Sequence, residues 1–174
     1  MAASTLVSPE EYLRTSYEPE MEYVDGRLVE RHVGEYFHSL SESLIAALLY
    51  ARSEERRFLV FAAQRVRVSD EPRYRVPDIC VKALPHEVTP VLEKPDLVIE
   101  IVSPDDSPGE MLEKAGDYQA AGIPHIWIVD PYKRKLIAVA SGEIRNCANL
   151  VAETDLVGAV DFAPLFSKLD RAGR

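Results

Sequence analysis

The order of elements predicts an α/β or α+β fold: one sheet with a long helix on each side. Three observations carry this. Phe37, Leu40, Leu44, Ala47 and Leu48 recur at steps of three and four, so Glu35 to Arg52 reads as the longest helix. Leu97 to Val102 is a nearly continuous apolar run, as expected for a strand buried on both faces. Glu110 to Ala121 reads as a second helix that stops at Gly122, with Pro124 just beyond. Helix, strands, helix, strands in this order place helices against a sheet.

The remaining elements follow along the chain. Ser8-Pro9-Glu10-Glu11 starts a short helix that ends near Ser16: a capping serine, a proline at the first position, then acids near the positive helix end. Asp25-Gly26, flanked by Tyr23, Val24, Leu28 and Val29, predicts an N-terminal β-hairpin over Met21 to Arg31. Phe58 to Ala62 and Arg65 to Val68 have strand composition, the second with one wet face. Glu71-Pro72-Arg73 is a turn. Val76 to Val81 reads as a strand with Pro77 near its start, where a missing N–H is tolerated. His125 to Val129 and Leu136 to Ala140 are strands joined through Asp130 to Arg134. The rest, to Phe166, reads as one more strand and a terminal helical turn.

The 174 residues suit one domain over 1–174, and 47% hydrophobic content allows a sizeable core. The longest unbroken apolar run, Leu44 to Ala51, is far shorter than the ~20 residues a membrane span needs, and no membrane partner is expected. The N-terminus lacks the plan of a signal peptide. Two cysteines, Cys80 and Cys147, give neither a zinc knuckle nor a disulfide framework, so a cytoplasmic setting is expected. The net charge of -9 argues against indiscriminate coating of nucleic acid. The charge is uneven. Residues 93–117 hold eight acids and two bases, whereas 52–75 hold seven arginines against four acids. That basic segment is a candidate source of phosphate contacts.

Glu100 stands inside the apolar run, where a carboxylate is costly unless a cation or several donors compensate it. On a two-residue period it shares a face with Val98 and Val102. Asp78, in Val76-Pro77-Asp78-Ile79, is enclosed by strand-forming residues too. Two acids on neighbouring strands repel unless a cation lies between them. Oxygen-only ligands suit Mg2+ or Mn2+, which use one or two carboxylates and keep several waters. Such an ion polarises a phosphoryl oxygen and lowers the pKa of a bound water. Lys114 and Tyr118, four apart, share one face of the following helix. A lysine aimed at a metal–phosphate centre stabilises developing negative charge; otherwise it is an exposed lysine paired with Glu110. Trp127, in an apolar strand, reads as core, and Cys80 as a small buried hydrophobe.

These blocks resemble a known family. They are Arg75-Val76-Pro77-Asp78, then Pro95-Asp96-Leu97-Val98-Ile99-Glu100-Ile101-Val102-Ser103-Pro104, then Glu110 with Lys114 and Tyr118, then Ala121-Gly122-Ile123-Pro124-His125-Ile126-Trp127-Ile128-Val129-Asp130-Pro131. In this order they look like the Uma-two restriction-endonuclease-like proteins of the PD-(D/E)XK nuclease superfamily. Met21-Glu22-Tyr23-Val24-Asp25-Gly26 and His38 extend the likeness over nearly the whole chain. The resemblance implies a restriction-endonuclease-like core: a central four-stranded mixed β-sheet flanked by helices, with metal-binding acids on adjacent strands. Asp78 matches the aspartate of that superfamily and Glu100 its second acid. The lysine expected two residues later is Val102 here, and Lys114 stands where the family carries it instead. Glu22 and His38 match family positions; Glu35, His38 and Glu42 lie on one side of the long helix, which suits a place near the metal.

The resulting expectation is a metal-dependent nuclease acting on nucleic acid, DNA first. Asp78 and Glu100 hold Mg2+ or Mn2+, Lys114 stabilises charge, and Tyr118, Glu22 and His38 complete the site. Superfamily members often pair two subunits, so a homodimer is implied. The alternative is a catalytically degenerate nucleic-acid-binding or assembly module that keeps the fold.

Overall fold

The computed structural model describes residues 6–31 and 35–172. Helix α1 (Pro9–Arg14) precedes the hairpin of β1 (Met21–Val24) and β2 (Arg27–Glu30). The long helix α2 (Tyr36–Arg56) feeds β3 (Phe58–Ala62). Then come β4 (Val66–Arg67), β5 (Tyr74–Arg75), β6 (Ile79–Ala83), β7 (Leu92–Glu93) and β8 (Leu97–Ile101). After α3 (Pro108–Ala120) follow β9 (His125–Asp130), β10 (Lys135–Ala140), β11 (Glu143–Asn146), β12 (Val151–Thr154), β13 (Gly158–Asp161) and α4 (Ala163–Ala172). Among the described residues no helix is long and apolar enough to cross a membrane.

The central sheet has six strands in the order β11-β10-β9-β8-β6-β3, rather than four. Only β8 and β9 run parallel, joined across α3; the other neighbours are antiparallel. The period-two pattern sorts β8 as expected. Leu97, Ile99 and Ile101 enter a core shared with Ile45 and Leu49 of α2, Trp127 of β9 and Leu165 and Leu169 of α4. Val98 points the other way, toward Cys80 and the α3 residues Met111, Ala115 and Tyr118. Glu100 therefore lies on the α3 face. Each of the largest buried side chains contributes roughly 1.5–3 kcal/mol by leaving water.

The single sheet is corrected to a larger arrangement. A second, five-stranded sheet, β2-β1-β5-β4-β7, carries the hairpin. The strand expected over Val76 to Val81 begins only at Ile79, and Val76 to Asp78 cross from β5 in one sheet to β6 in the other. The cause is local. Pro77 has no N–H to give, and the N–H of Val76 is taken by the Glu22 carboxylate at 3.0 Å. Asp78 thus sits in the crossing between the sheets, not within a strand. The hairpin turn forms as the sequence predicts: Asp25 and Gly26 adopt φ of 50° and 80°, a pairing that suits the twist of the strands.

A tyrosine cluster docks α1 and the hairpin. Tyr12, Tyr23 and Tyr74 pack together, with Tyr12 donating to the carbonyl of Met21 at 2.8 Å and Tyr23 to that of Val7 at 2.9 Å. Helix α3 begins at Pro108, two residues before Glu110. Ser107 caps it, and Glu110 returns the bond in a capping box, so the carboxylate of Glu110 is turned to the helix start. Beyond β10 the chain makes three strands and a three-turn helix, not one strand and a single turn. Ser141-Gly142, at φ of 51° and 80°, forms a second tight hairpin turn. Leu165, Phe166 and Leu169 give α4 a buried face against the core.

Trp127 is 1% exposed and meets Phe162 edge-on at 5.8 Å. Trp127→Ala is expected to cost about 3–5 kcal/mol in urea unfolding, as for other buried aromatics. A loss below about 1 kcal/mol would remove Trp127 from the core.

Candidate active site

Asp78 is 3% exposed. Its Oδ2 accepts the N–H of Ile101 at 2.7 Å and lies 3.3 Å from Nε2 of His38, in the first turn of α2. Its Oδ1 accepts from the Arg31 guanidinium, just past β2. The bond to Ile101, next to Glu100 on β8, sets the two acids side by side.

Glu100 is equally buried. Its Oε1 accepts from the Tyr118 hydroxyl at 2.5 Å, and its Oε2 lies 3.3 Å from Nζ of Lys114. These two residues project from one face of α3, one turn apart, as their spacing requires. Lys114 also reaches Oε1 of Glu22 at 3.5 Å, so the ammonium bridges two carboxylates and is not paired with Glu110 in the way an exposed helix lysine would be. Glu22, 1% exposed on β1, accepts from Nη1 of Arg75 at 2.8 Å. Arg75 goes on to Asp117 and Glu113 of α3, at 2.7 Å and 2.8 Å. The fold thus brings together Glu22, His38, Asp78, Glu100, Lys114 and Tyr118. Glu35, expected near them, turns instead to the Tyr132 hydroxyl at 3.0 Å.

The electrostatics separate the two acids. Burial pushes the Glu100 carboxyl up, neighbouring Asp78 and Glu22 add to this, and Lys114 and Tyr118 offset it only in part; it rises to about 7. Burial opposes ionisation of Asp78 as well, but His38, Arg31 and the Ile101 N–H outweigh it and hold the carboxyl below its usual range. Burial works against a charged Lys114, yet Glu100, Glu22 and Asp78 raise its pKa. His38 is raised by Asp78 against the effect of burial.

Asp78, Glu100, Lys114, Arg31 and His38 line a cavity of about 20 Å³, room for one water-sized occupant. A wider recess of about 160 Å³ lies beside it, walled by Glu22, Arg31, Arg75, Asp106, Glu113 and Lys114. Among the described residues no three His, Cys, Asp or Glu side chains form a ready-made metal cage. Two buried carboxylates on one small cavity, one of them short of positive charge, fit a hard divalent ion that completes its shell with water.

Most of the arginines of 52–75 are spent on the fold. Arg52 donates to the carbonyl of Ala159 at 2.6 Å, and Arg56 reaches those of Asp155 and Leu156 at 3.4 Å. Arg65 lies over the Tyr12 ring at 4.4 Å and pairs with Glu20. Arg73 holds Asp25, Glu113 and Asp117. Of the seven, Arg75 lines the recess. Sequence reasoning missed Arg31 as the partner of Asp78 and Arg75 as the partner of Glu22. A buried strand acid such as Glu22 signals that a cation is needed, but not which one.

A mixed sheet that sets two acids side by side beneath a lysine-bearing helix defines a restriction-endonuclease-like fold. The chain belongs to the Uma2 family, described as "Putative restriction endonuclease", whose family model matches residues 9–157. No curated protein matches it in sequence. Its fold is similar to the crystal structure of a "putative nuclease belonging to DUF820" from Anabaena variabilis ATCC 29413. The TM-score is 0.80 at 22% identity, over 94% of this chain and 99% of that one. A cryo-EM structure of a DrdV–DNA complex aligns with 73% of this chain and 11% of that one, at 16% identity and a TM-score of 0.42, too loosely to carry an argument.

The raised Glu100 carboxyl has a consequence for stability. Between 4.5, its ordinary value, and about 7, the folded protein keeps a proton that the unfolded chain has released. The contribution of this group is therefore complete below 4.5 and falls as pH rises toward 7. In metal-free buffer the wild type should lose stability over that window, by up to roughly 1 kcal/mol per pH unit. Glu100→Gln should be flatter, keeping the losses from Glu42 and His38, both of which are also raised. Denaturant unfolding across the window checks this; equal slopes would mean that Glu100 is ionised throughout.

Proposed function

We propose that the chain is a divalent-metal-dependent nuclease that hydrolyses phosphodiester bonds in DNA. The observation that carries this reading is the convergence of Asp78 and Glu100 on one small cavity, with Lys114 spanning Glu100 and Glu22. Membership of a family described as restriction endonucleases supports DNA as the substrate. Asp78 and Glu100 are the residues that hold Mg2+ or Mn2+, which restriction-endonuclease-like families generally use. Bound there, the ion supplies a Lewis acid for the phosphoryl oxygens.

The side chains divide the remaining work. Lys114, kept charged by the carboxylates on either side, counters negative charge growing on the phosphoryl group. Tyr118 fixes Oε1 of Glu100 and so turns Oε2 toward the lysine. Glu22, clamped by Arg75 and the Val76 N–H, aims Lys114. His38 steadies Asp78 from α2. We read residues 1–174 as one domain and place it in the cytoplasm. Cutting two strands with one small domain needs two sites, so it acts as a homodimer.

A second reading has its own support. Each acid already has a cation, Arg31 on Asp78 and Lys114 on Glu100, as in a closed structural network. In that case the chain is a degenerate nucleic-acid-binding or assembly module.

The deciding assay incubates plasmid and oligonucleotide DNA with Mn2+, Mg2+ or EDTA. Cleavage should require the ion and vanish in Asp78→Asn and Glu100→Gln. Lys114→Ala should slow it at least about a hundredfold while staying folded. Cleavage in EDTA would sink the metal-dependent mechanism, and no cleavage of any substrate by folded protein would favour the module.

A further inference from the structure

Among the described residues Arg31 is a basic side chain at the candidate site with no role in the proposed reaction, and its placement is specific. It follows β2, a strand on the edge of the five-stranded sheet, and its guanidinium meets Oδ1 of Asp78. Its side chain is 17% exposed, against 4% for Asp78, so it stands between the buried acid and solvent. It lines both the small cavity and the wider recess.

The two oxygens of Asp78 are held differently. Oδ2 is bound by the N–H of Ile101, on a central strand, and by His38, itself buried. Neither partner can leave without moving the core. Oδ1 is bound by a long side chain reaching in from an edge. Oδ1 is therefore the exchangeable position and the one open to an incoming cation. A divalent ion and a guanidinium cannot share one oxygen without strong like-charge repulsion. An ion held at Oδ1 would push the guanidinium off, and the tether of its own side chain would keep it at the cavity mouth.

We propose that Arg31 is a placeholder cation: it neutralises Asp78 until the divalent ion displaces it, and the freed guanidinium then clamps the substrate phosphate. This rests on the nuclease reading. The guanidinium suits the second task because its planar fork matches two phosphate oxygens at once. The site also needs such a group. Arg73 and Arg75 are committed to acids of α3 and the hairpin, and Lys114, held by Glu22 and Glu100, offers a point charge without a fork. In the metal-free site Arg75 and Lys114 answer Glu22 and Glu100, while Arg31, beside His38, supplies the permanent positive charge on Asp78. That balance makes Arg31 necessary before the ion arrives and redundant on Asp78 afterwards.

The test uses the full chain with Mn2+ alone, then with DNA. Arg31→Met keeps the apolar stem and removes the charge; Arg31→Lys keeps the charge and removes the fork. With the competing cation gone, Arg31→Met should bind Mn2+ at least about fivefold more tightly in calorimetry. It should also gain a larger rise in melting temperature from the ion than the wild type. Its cleavage should fall at least about tenfold, mostly through KM, since a phosphate contact is lost. Arg31→Lys should keep the wild-type Mn2+ affinity and still show a raised KM. Should Arg31→Met not fold, NMR of the wild type decides. The Arg31 Nε–H resonance should move on adding Mg2+ without DNA if the guanidinium leaves Asp78, and stay fixed if it does not.

Mn2+ affinity in Arg31→Met equal to or weaker than wild type, with the wild type both binding Mn2+ and cutting DNA, would overturn the placeholder alone. A wild type that neither takes up Mn2+ nor cuts DNA would overturn the nuclease reading and the placeholder with it.

Discussion

Three carboxylates removed from water, Glu22, Asp78 and Glu100, set the terms for the rest of this structure. Burying an unpaired charge costs several kcal/mol, so each acid has to be met by a cation or by fixed donors. Glu22 has Arg75 and the Val76 N–H. Asp78 has Arg31, His38 and the Ile101 N–H. Glu100 has Lys114 and the Tyr118 hydroxyl. These partners come from β5, β8, α2 and α3 and from the segments after β2 and β5, so meeting the charge requirement fastens both sheets and two helices to one point.

Helix α3 shows how the requirement is distributed. Lys114 and Tyr118 face the central sheet and serve Glu100. Glu113 and Asp117, one residue back in each turn, hold Arg73 and Arg75. Arg75 returns to Glu22, which shares Lys114. The circuit Glu22, Arg75, Asp117, α3, Lys114 closes on itself. The Tyr12, Tyr23 and Tyr74 cluster docks the hairpin that carries Glu22 into this circuit.

The parts of this arrangement that the sequence discloses are those with local causes. Glu100 stands out because an acid inside Leu97 to Val102 breaks an apolar run. Lys114 and Tyr118 follow from the helical repeat, and the Asp25-Gly26 turn from its φ requirement. What stays hidden depends on distance along the chain. Nothing near Arg31 points to Asp78, 47 residues away, and nothing near Arg75 points to Glu22, 53 residues away. The split at Val76 to Asp78 is half visible, since Pro77 announces a lost N–H but not the carboxylate that takes the neighbouring one. The arginines of 52–75 show the same limit: composition counts them, but not that Arg65 answers Glu20 or that Arg73 answers Asp117. Ser141-Gly142 carried a turn signal as clear as Asp25-Gly26, and reading it would have recovered the hairpin of β10 and β11.

A chain with a net charge of -9 meets a polyanion at a disadvantage. The recess beside the acids sharpens the problem, because Glu22, Glu30, Asp106, Glu110 and Glu113 line it against Arg31, Arg75 and Lys114. Most of those cations already answer carboxylates. Phosphate can therefore gain little from the metal-free site. Under the nuclease reading an ion held by Asp78 and Glu100 would add positive charge beside them, and under the placeholder proposal it would also free the Arg31 guanidinium. Both effects favour one order of events, ion before nucleic acid. On this account the acidic surround discriminates against nonspecific nucleic acid, since a phosphate is welcome only at the one point where the ion sits.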